Sequence, residues 1–326
     1  MGMINEYLVE NEIEYDPNFL LSTITKIKGN GCCDYYCKPN SLSQLKKIIS
    51  FCITENILFD VVGNVSNTYF LNNYRTSVIV STLKVKEISF NNDSIICSCG
   101  VNLSKISREC VRRGFAGYEG FIGVPGTVGA AAINNTGAFQ SSMHEIVKSV
   151  TLLNLENEII HLTNKDLKYE TRNSVLKSLE IKGFVLSVEI HTKEKEDITV
   201  LKQRVLENRI FRKNNIDGHR KSLGSVFVSP TLRYLMVNFR VRLFLKKICY
   251  APFKILVKDT AKLKKINTFL VFLFLGVPQL AKHCDSLNRF CWEENTLEDD
   301  FMNYINTMQR LSKNKLKIEI AIKGNQ

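Results

Sequence analysis

A block of small residues between Gly117 and Phe139 limits what this chain can fold into more than any other stretch. It reads Gly117-Tyr118-Glu119-Gly120-Phe121-Ile122-Gly123-Val124-Pro125-Gly126-Thr127-Val128-Gly129-Ala130-Ala131-Ala132, then Asn134-Asn135-Thr136-Gly137-Ala138-Phe139. Proline presets φ and glycine accepts positive φ, so Pro125-Gly126 predicts a tight turn. Gly123, Gly126 and Gly129 carry no side chain to block close approach, and such a backbone can aim several N–H groups at one anion. Gly129 and the alanines after it suit a helix start, where the dipole also favours negative charge. A pyrophosphate is the natural occupant. The plainer alternative is a turn that only permits tight packing, and spacing alone leaves both open. The pattern is not GxGxxG after a strand, so a Rossmann nucleotide site is not indicated.

A second loop, Val62-Gly63-Asn64-Val65-Ser66-Asn67, directly follows the apolar run Ile57–Val62. That run reads as a buried strand, and strand exits often carry binding groups. Ser66 and Asn67 add hydrogen-bonding side chains beside exposed amides; an Asx turn would read the same way.

Other elements follow from periodicity. Leu42, Leu45, Ile48, Ile49 and Cys52 recur at helical spacing behind Ser41, predicting a capped helix over 41–55. Strands are expected at 77–81, 87–90, 94–98 and 183–192. A hairpin is expected from 147–154 with 158–162, helices at 103–113, 200–213 and 298–311, and a closing strand at 316–322. No internal repeat is visible.

Hydrophobic content of 44% with 23% charged residues is that of a globular protein, and 326 residues suggest more than one packed unit. The ten cysteines include two clusters, Cys32/Cys33/Cys37 and Cys97/Cys99, without the paired CxxC spacing of a zinc site, so free buried thiols and no metal are expected. Met1–Glu10 lacks the pattern of a signal peptide, which reads as a cytoplasmic chain. The net charge of +12 is uneven: Arg233 to Lys265 holds ten Lys or Arg against the single acid Asp259. No nucleic-acid motif accompanies it, so nucleic acid is not an expected partner. The later run Phe269–Leu275 is too short to span a bilayer. Basic residues beside Phe and Leu allow peripheral contact of 233–275 with an anionic membrane. A helix pair covering the core, with its lysines in solvent, is the plainer reading, since lysine-flanked apolar helices are common.

Taken together, the two glycine segments resemble the UDP-N-acetylenolpyruvoylglucosamine reductase family. Its GxGSN loop corresponds to Gly63-Asn64-Val65-Ser66-Asn67. Its IPGTVGG stretch corresponds to Val124-Pro125-Gly126-Thr127-Val128-Gly129-Ala130, followed by Asn134/Asn135 and Gly137-Ala138. Lys28-Gly29-Asn30-Gly31 with Pro39-Asn40-Ser41 is similar to the family's opening. The resemblance covers roughly the first two-thirds of the chain. It implies an α+β fold: a two-subdomain FAD-binding fold of the vanillyl-alcohol-oxidase (PCMH) type, residues 1–84 and 85–197, plus a divergent C-terminal α+β substrate domain, 198–326. FAD would be held by Gly63, Asn64, Val65, Ser66, Asn67, Gly123, Val124, Pro125, Gly126, Thr127, Gly129, Asn134 and Gly137.

The implied reaction uses NADPH to reduce FAD, which then reduces the enolpyruvyl group of a nucleotide sugar. Three sites would carry it. Ser225, in Gly224-Ser225-Val226-Phe227-Val228-Ser229-Pro230, matches the proton-donating serine motif. Arg172, in Thr171-Arg172-Asn173-Ser174, matches a Tyr-Arg-x-Ser motif, with Thr171 at the tyrosine position and Tyr169 two residues upstream. Glu319, in Leu316-Lys317-Ile318-Glu319-Ile320 ahead of Gly324, matches the C-terminal glutamate. The sequence after Pro230 departs from the family, and Asn64 and Val65 stand where its first loop has small residues. A related flavoenzyme acting on another sugar, or a non-catalytic FAD-binding protein, are the competing expectations.

Overall fold

The computed structural model describes residues 2–27, 29–192, 195–215 and 220–324. Lys28 of the family-like opening lies outside them. The chain separates into two units. Unit 1 holds Met1–Ile24, Gly31–Ser66 and Arg75–Asp217; unit 2 holds Thr25–Asn30, Asn67–Tyr74 and Gly218–Gln326.

Unit 1 begins with α1 (Gly2–Glu10), β1 (Tyr15–Leu20) and β2 (Cys32–Cys37). Helix α2 (Leu42–Thr54) follows and leads into β3 (Phe59–Val62). The chain then leaves for unit 2 as β4 (Thr68–Phe70) and returns as β5 (Arg75–Ser81). These strands form a sheet in the order β1-β2-β5-β3, parallel across β2-β5-β3 and antiparallel at β1. Helix α2 starts where its sequence says, with the Ser41 hydroxyl accepting the Gln44 N–H at 3.2 Å and Leu45, Ile48, Ile49 and Cys52 buried. Ser41→Ala is expected to cost about 1 kcal/mol, read from the midpoint of thermal unfolding. Strand β3 starts two residues later than the apolar run, because Leu58 is exposed and only its carbonyl is engaged, by the Val78 N–H.

A second sheet follows from β6 (Ile88–Phe90) and β7 (Ser94–Ser98), with α3 (Leu103–Arg112) and α4 (Val128–Ile133) after them. A short pair, β8 (Gly137–Ala138) and β9 (Ser141–Ser142), precedes α5 (Met143–Ile146), β10 (Val147–Asn154), β11 (Ile159–Thr163) and β12 (Gly183–His191). The order is β11-β10-β12-β7-β6, antiparallel throughout. The hairpin read from the sequence is β10 with β11. Cys97 and Cys99 are buried, and so is Ser98 between them, its hydroxyl donating to Glu87 at 3.1 Å. Burial pushes both thiols up to about 12, which keeps them protonated at neutral pH. Helix α6 (Ile198–Asn215) ends the unit. Its Arg204 reaches the buried Glu119 at 3.1 Å and Glu196 at 2.6 Å, so this helix belongs with unit 1 rather than beyond a boundary at 197/198.

Unit 2 contains β4, α7 (Arg233–Asn238), α8 (Arg240–Leu256), α9 (Thr260–Phe274), β13 (Cys284–Ser286), β14 (Arg289–Phe290), α10 (Glu298–Leu311) and β15 (Ala321–Lys323). Its core is aromatic: Phe290 lies against Trp292, Phe301 and Tyr304 with ring centroids 4.7, 5.1 and 5.3 Å away. Such packing dominates the apolar burial of a small unit. The closing strand is shorter than expected. Ile318 makes an isolated bridge to Phe227, and only Ala321–Lys323 pairs, in parallel with β4.

Candidate functional site

Unit 1 brings the Gly63–Ser66 loop, at the exit of β3, onto the Pro125–Thr127 turn. Gly63 lies so close to Thr127 that a Cβ built there would stand 2.7 Å from the threonine Oγ1. The Ser66 hydroxyl donates to the Pro125 carbonyl at 3.2 Å. Thr127 is buried and Asn64 exposed. Gly126 has φ +138°, a conformation that side chains rarely permit. Val65, at the position of a family glycine, is buried and holds φ +42°. The loop therefore keeps the left-handed turn a glycine would adopt freely, at a cost of about 1–2 kcal/mol.

This arrangement decides which amides can meet an anion. No hydrogen bond among the described residues uses the N–H groups of Asn64, Val65, Ser66, Gly126 or Thr127. The start of α4 differs from the expectation. Val128 N–H donates to the Val101 carbonyl at 2.8 Å, Gly129 N–H to that of Cys99 at 3.0 Å, and Ala130 N–H to Thr127 Oγ1 at 3.4 Å. Gly129 lacks a side chain because Cys99 Cβ would lie 2.7 Å from one. Its role is packing, the plainer of the two readings. Gly123, with φ +85°, donates to Ser104 Oγ at 2.7 Å, and Val124 to the Phe121 carbonyl at 2.9 Å, so both shape the turn. The free donors thus come from the two loops and not from the helix end. Bare amides beside Gly63, which tolerates no Cβ, and Gly126, held at φ +138°, suit the linked phosphates of FAD.

Beyond α4, the Asn134 amide closes the helix on the Ala130 carbonyl at 2.8 Å. The neighbouring Asn135, named with Asn134 in the sequence but not chosen as the cofactor-binding residue, does more. It is buried at φ +42°, donates to the Glu170 carbonyl at 2.7 Å and accepts the His144 N–H at 3.0 Å. Ser174 Oγ donates to the Ile133 carbonyl at 2.6 Å. The Arg172 loop is thus pinned on both sides to the end of α4. Arg172 itself holds φ +58°, and its Nη1 lies 3.8 Å from where a Cβ on Gly137 would be. Tyr169 packs against the core of unit 1 with its hydroxyl buried and unpartnered, so it does not stand in for the tyrosine at Thr171. Asn135→Ala removes two hydrogen bonds to buried or half-buried groups and is expected to cost about 2 kcal/mol, measured by denaturant unfolding.

Unit 2 holds the other two candidates. Ser225 is exposed, just after Gly224 at φ +87°. The next residue, Val226, accepts the Glu319 N–H at 2.8 Å, and Val228 N–H donates to Lys317 at 2.8 Å. The Ser225 and Glu319 segments therefore run side by side. Asn67 joins them, donating to the Glu319 carbonyl at 3.3 Å and accepting the Ala321 N–H at 2.9 Å. Asn288, missed in the sequence, clamps Phe227 by two bonds of 2.7 Å, one from its amide and one to its oxygen. No group of three His, Cys, Asp or Glu placed to hold a metal occurs among the described residues.

Known proteins place this geometry. The FAD binding domain family matches residues 33–163. The UDP-N-acetylenolpyruvoylglucosamine reductase of Caldicellulosiruptor bescii is 30% identical over 226 residues, 69% of this chain and 71% of that protein. The chain belongs to the UDP-N-acetylenolpyruvoylglucosamine reductase family. The reductase of Clostridium novyi is 28% identical over 225 residues, 69% of this chain and 72% of that protein. The crystal structure of the reductase from Thermus caldophilus matches 95% of this chain and 99% of its own, with a TM-score of 0.64 at 18% identity. The likeness in fold therefore extends beyond the stretch where sequences align. Like the rest of this reductase family, the chain is an FAD-dependent oxidoreductase with the α+β fold of the vanillyl-alcohol-oxidase type.

Proposed function

We propose that this chain reduces the enolpyruvyl group of UDP-N-acetylglucosamine enolpyruvate to UDP-N-acetylmuramate for peptidoglycan synthesis, with FAD as cofactor and NADPH as electron donor. The observation that carries the reading is the locking of Gly63–Ser66 onto Pro125–Thr127, which leaves five amides free, in a chain of this family. FAD, when bound, would supply two-electron chemistry between NADPH and the enolpyruvyl group.

The chain's own residues do the rest. Asn64, Val65, Ser66, Gly126 and Thr127 hold the diphosphate through N–H donors, which need no reorganisation when the anion arrives. Gly63 and Gly129 let the loops and α4 pack closely enough to present them. Hydride addition leaves an enolate-like carbanion beside the sugar's carboxylate. Arg172 offers a planar cationic fork to that developing charge, where fixed positive charge acts most strongly. Ser225 gives its hydroxyl proton to the carbon, closing the reduction as one hydride plus one proton. Serine is a weak acid, but an enolate carbon is a strong base, so the transfer runs downhill once the two are placed. Glu319 orients the substrate next to the serine segment. A nucleotide-sugar substrate and a pyridine-nucleotide donor assign the work to the cytoplasm, with no nucleic-acid partner.

Anaerobic half-reactions test the reading. Addition of NADPH should bleach the flavin, and addition of the enolpyruvyl sugar nucleotide should restore its colour with formation of UDP-N-acetylmuramate. Bleaching without recovery would leave a flavoprotein of another substrate.

A further inference from the structure

Helix α8 carries a surface that the reductase chemistry leaves unused. It has no buried residue along its whole length. Val241, Phe244, Leu245, Ile248, Ile255 and Leu256 are 46–83% exposed. Their spacing of three, four and seven residues puts them on one side of the helix, turn after turn. Half-buried Leu243 and Tyr250 lie on the opposite side, where the Tyr250 hydroxyl donates to the Leu263 carbonyl of α9 at 3.4 Å. Arg240 and Lys247 border one edge of the apolar face and Arg242 the other, while Lys246 and Lys254 sit over the Tyr250 ring, 4.9 and 5.6 Å from its centroid. Lys246, Lys247 and Lys264 also line a cavity of about 370 Å³ together with Leu243 and Val271.

We infer that α8 docks in the plane of an anionic phospholipid membrane, its apolar face entering the acyl boundary and its flanking lysines and arginines meeting the headgroup phosphates. The charge selects this occupant. From Arg233 to Lys265 there are ten cations and the one acid Asp259. A second copy of the chain would bring two cationic borders face to face, and a nucleic acid would leave the apolar centre uncovered. A bilayer with anionic headgroups satisfies both at once, and long basic side chains snorkel to the headgroups from the edges of such a face. No helix among the described residues is long and apolar enough to cross a membrane, so α8 lies on the surface and does not span it.

Co-sedimentation of the purified chain with vesicles tests this. Binding to vesicles of mixed phosphatidylglycerol and phosphatidylcholine should exceed binding to phosphatidylcholine alone by at least about tenfold, since each cation near an anionic surface contributes roughly fivefold. High salt should weaken it. The double variant Phe244→Asp/Ile248→Asp should lower binding at least about tenfold while thermal unfolding and flavin content stay unchanged, because both side chains are already in solvent. Arg240→Glu/Lys247→Glu should lower it comparably. Absence of binding to phosphatidylglycerol overturns the proposal. So does binding that survives the aspartates, which would make it a diffuse charge effect. So does a chain that sediments as a dimer without vesicles and as a monomer once the aspartates are present, which would make the face a contact between copies.

Discussion

Ser225→Ala slows reduction of the enolpyruvyl sugar by about 10²–10⁴-fold, the usual worth of a placed proton donor, while bleaching of the flavin by NADPH keeps its rate. Ser225 is exposed on a turn set by Gly224, and its hydroxyl makes no contact that holds unit 2 together. The backbone bonds that fix its segment come from Val226, Phe227 and Val228. Stability should therefore change little. Stopped-flow measurement of both half-reactions reads the split directly. Equal slowing of the two halves would mean that the serine acts through structure or flavin binding and not through the proton.

Gly126→Ala should weaken FAD retention by about 10–100-fold. The added Cβ meets no clash, only an ordinary contact with Ser66 Oγ at 3.8 Å. The difficulty is the backbone, since φ +138° costs a residue with a side chain about 1–3 kcal/mol. Relaxation of that strain would rotate the amides of Gly126 and Thr127 and disturb the Ser66–Pro125 bond, so the diphosphate cradle loses donors together with its shape. Gel filtration followed by the ratio of flavin to protein absorbance measures the loss. Gly129→Ala makes a useful contrast. Its Cβ would collide with Cys99, so it should lower the unfolding midpoint before it alters flavin content.

Much of the site could be read from residue order. The two glycine segments stand out in the order of residues, whereas Arg172, Ser225 and Glu319 are candidates only through the family's motifs. The sequence does not disclose which amides remain free. Gly129 looks like an anion-binding helix start until Cys99, thirty residues earlier in the chain, takes its N–H. Gly123 loses its donor to Ser104 in the same way. These are tertiary bonds, and local propensity is silent about them. Asn134 and Asn135 are indistinguishable as letters, yet only Asn135 turns into the left-handed region and reaches the Arg172 loop. Strands β1 and β2 escaped notice because Cys32–Cys37 reads as a cysteine cluster; its pairing with Arg75–Ser81 is a non-local parallel ladder. The capped helix α2 and the β10–β11 hairpin were legible because their signals are local. The basic stretch after Arg233 allowed two readings, and only the structure discloses that α8 buries none of its residues.

The central claim is that the amides of the Gly63–Ser66 loop and the Pro125–Thr127 turn grip a flavin dinucleotide. The visible spectrum of the purified chain tests it most directly. The purified protein should be yellow, its flavin absorbance disappearing on anaerobic addition of NADPH and returning with the enolpyruvyl sugar nucleotide. A colourless chain that takes up no FAD when supplied with it would contradict the account at its base.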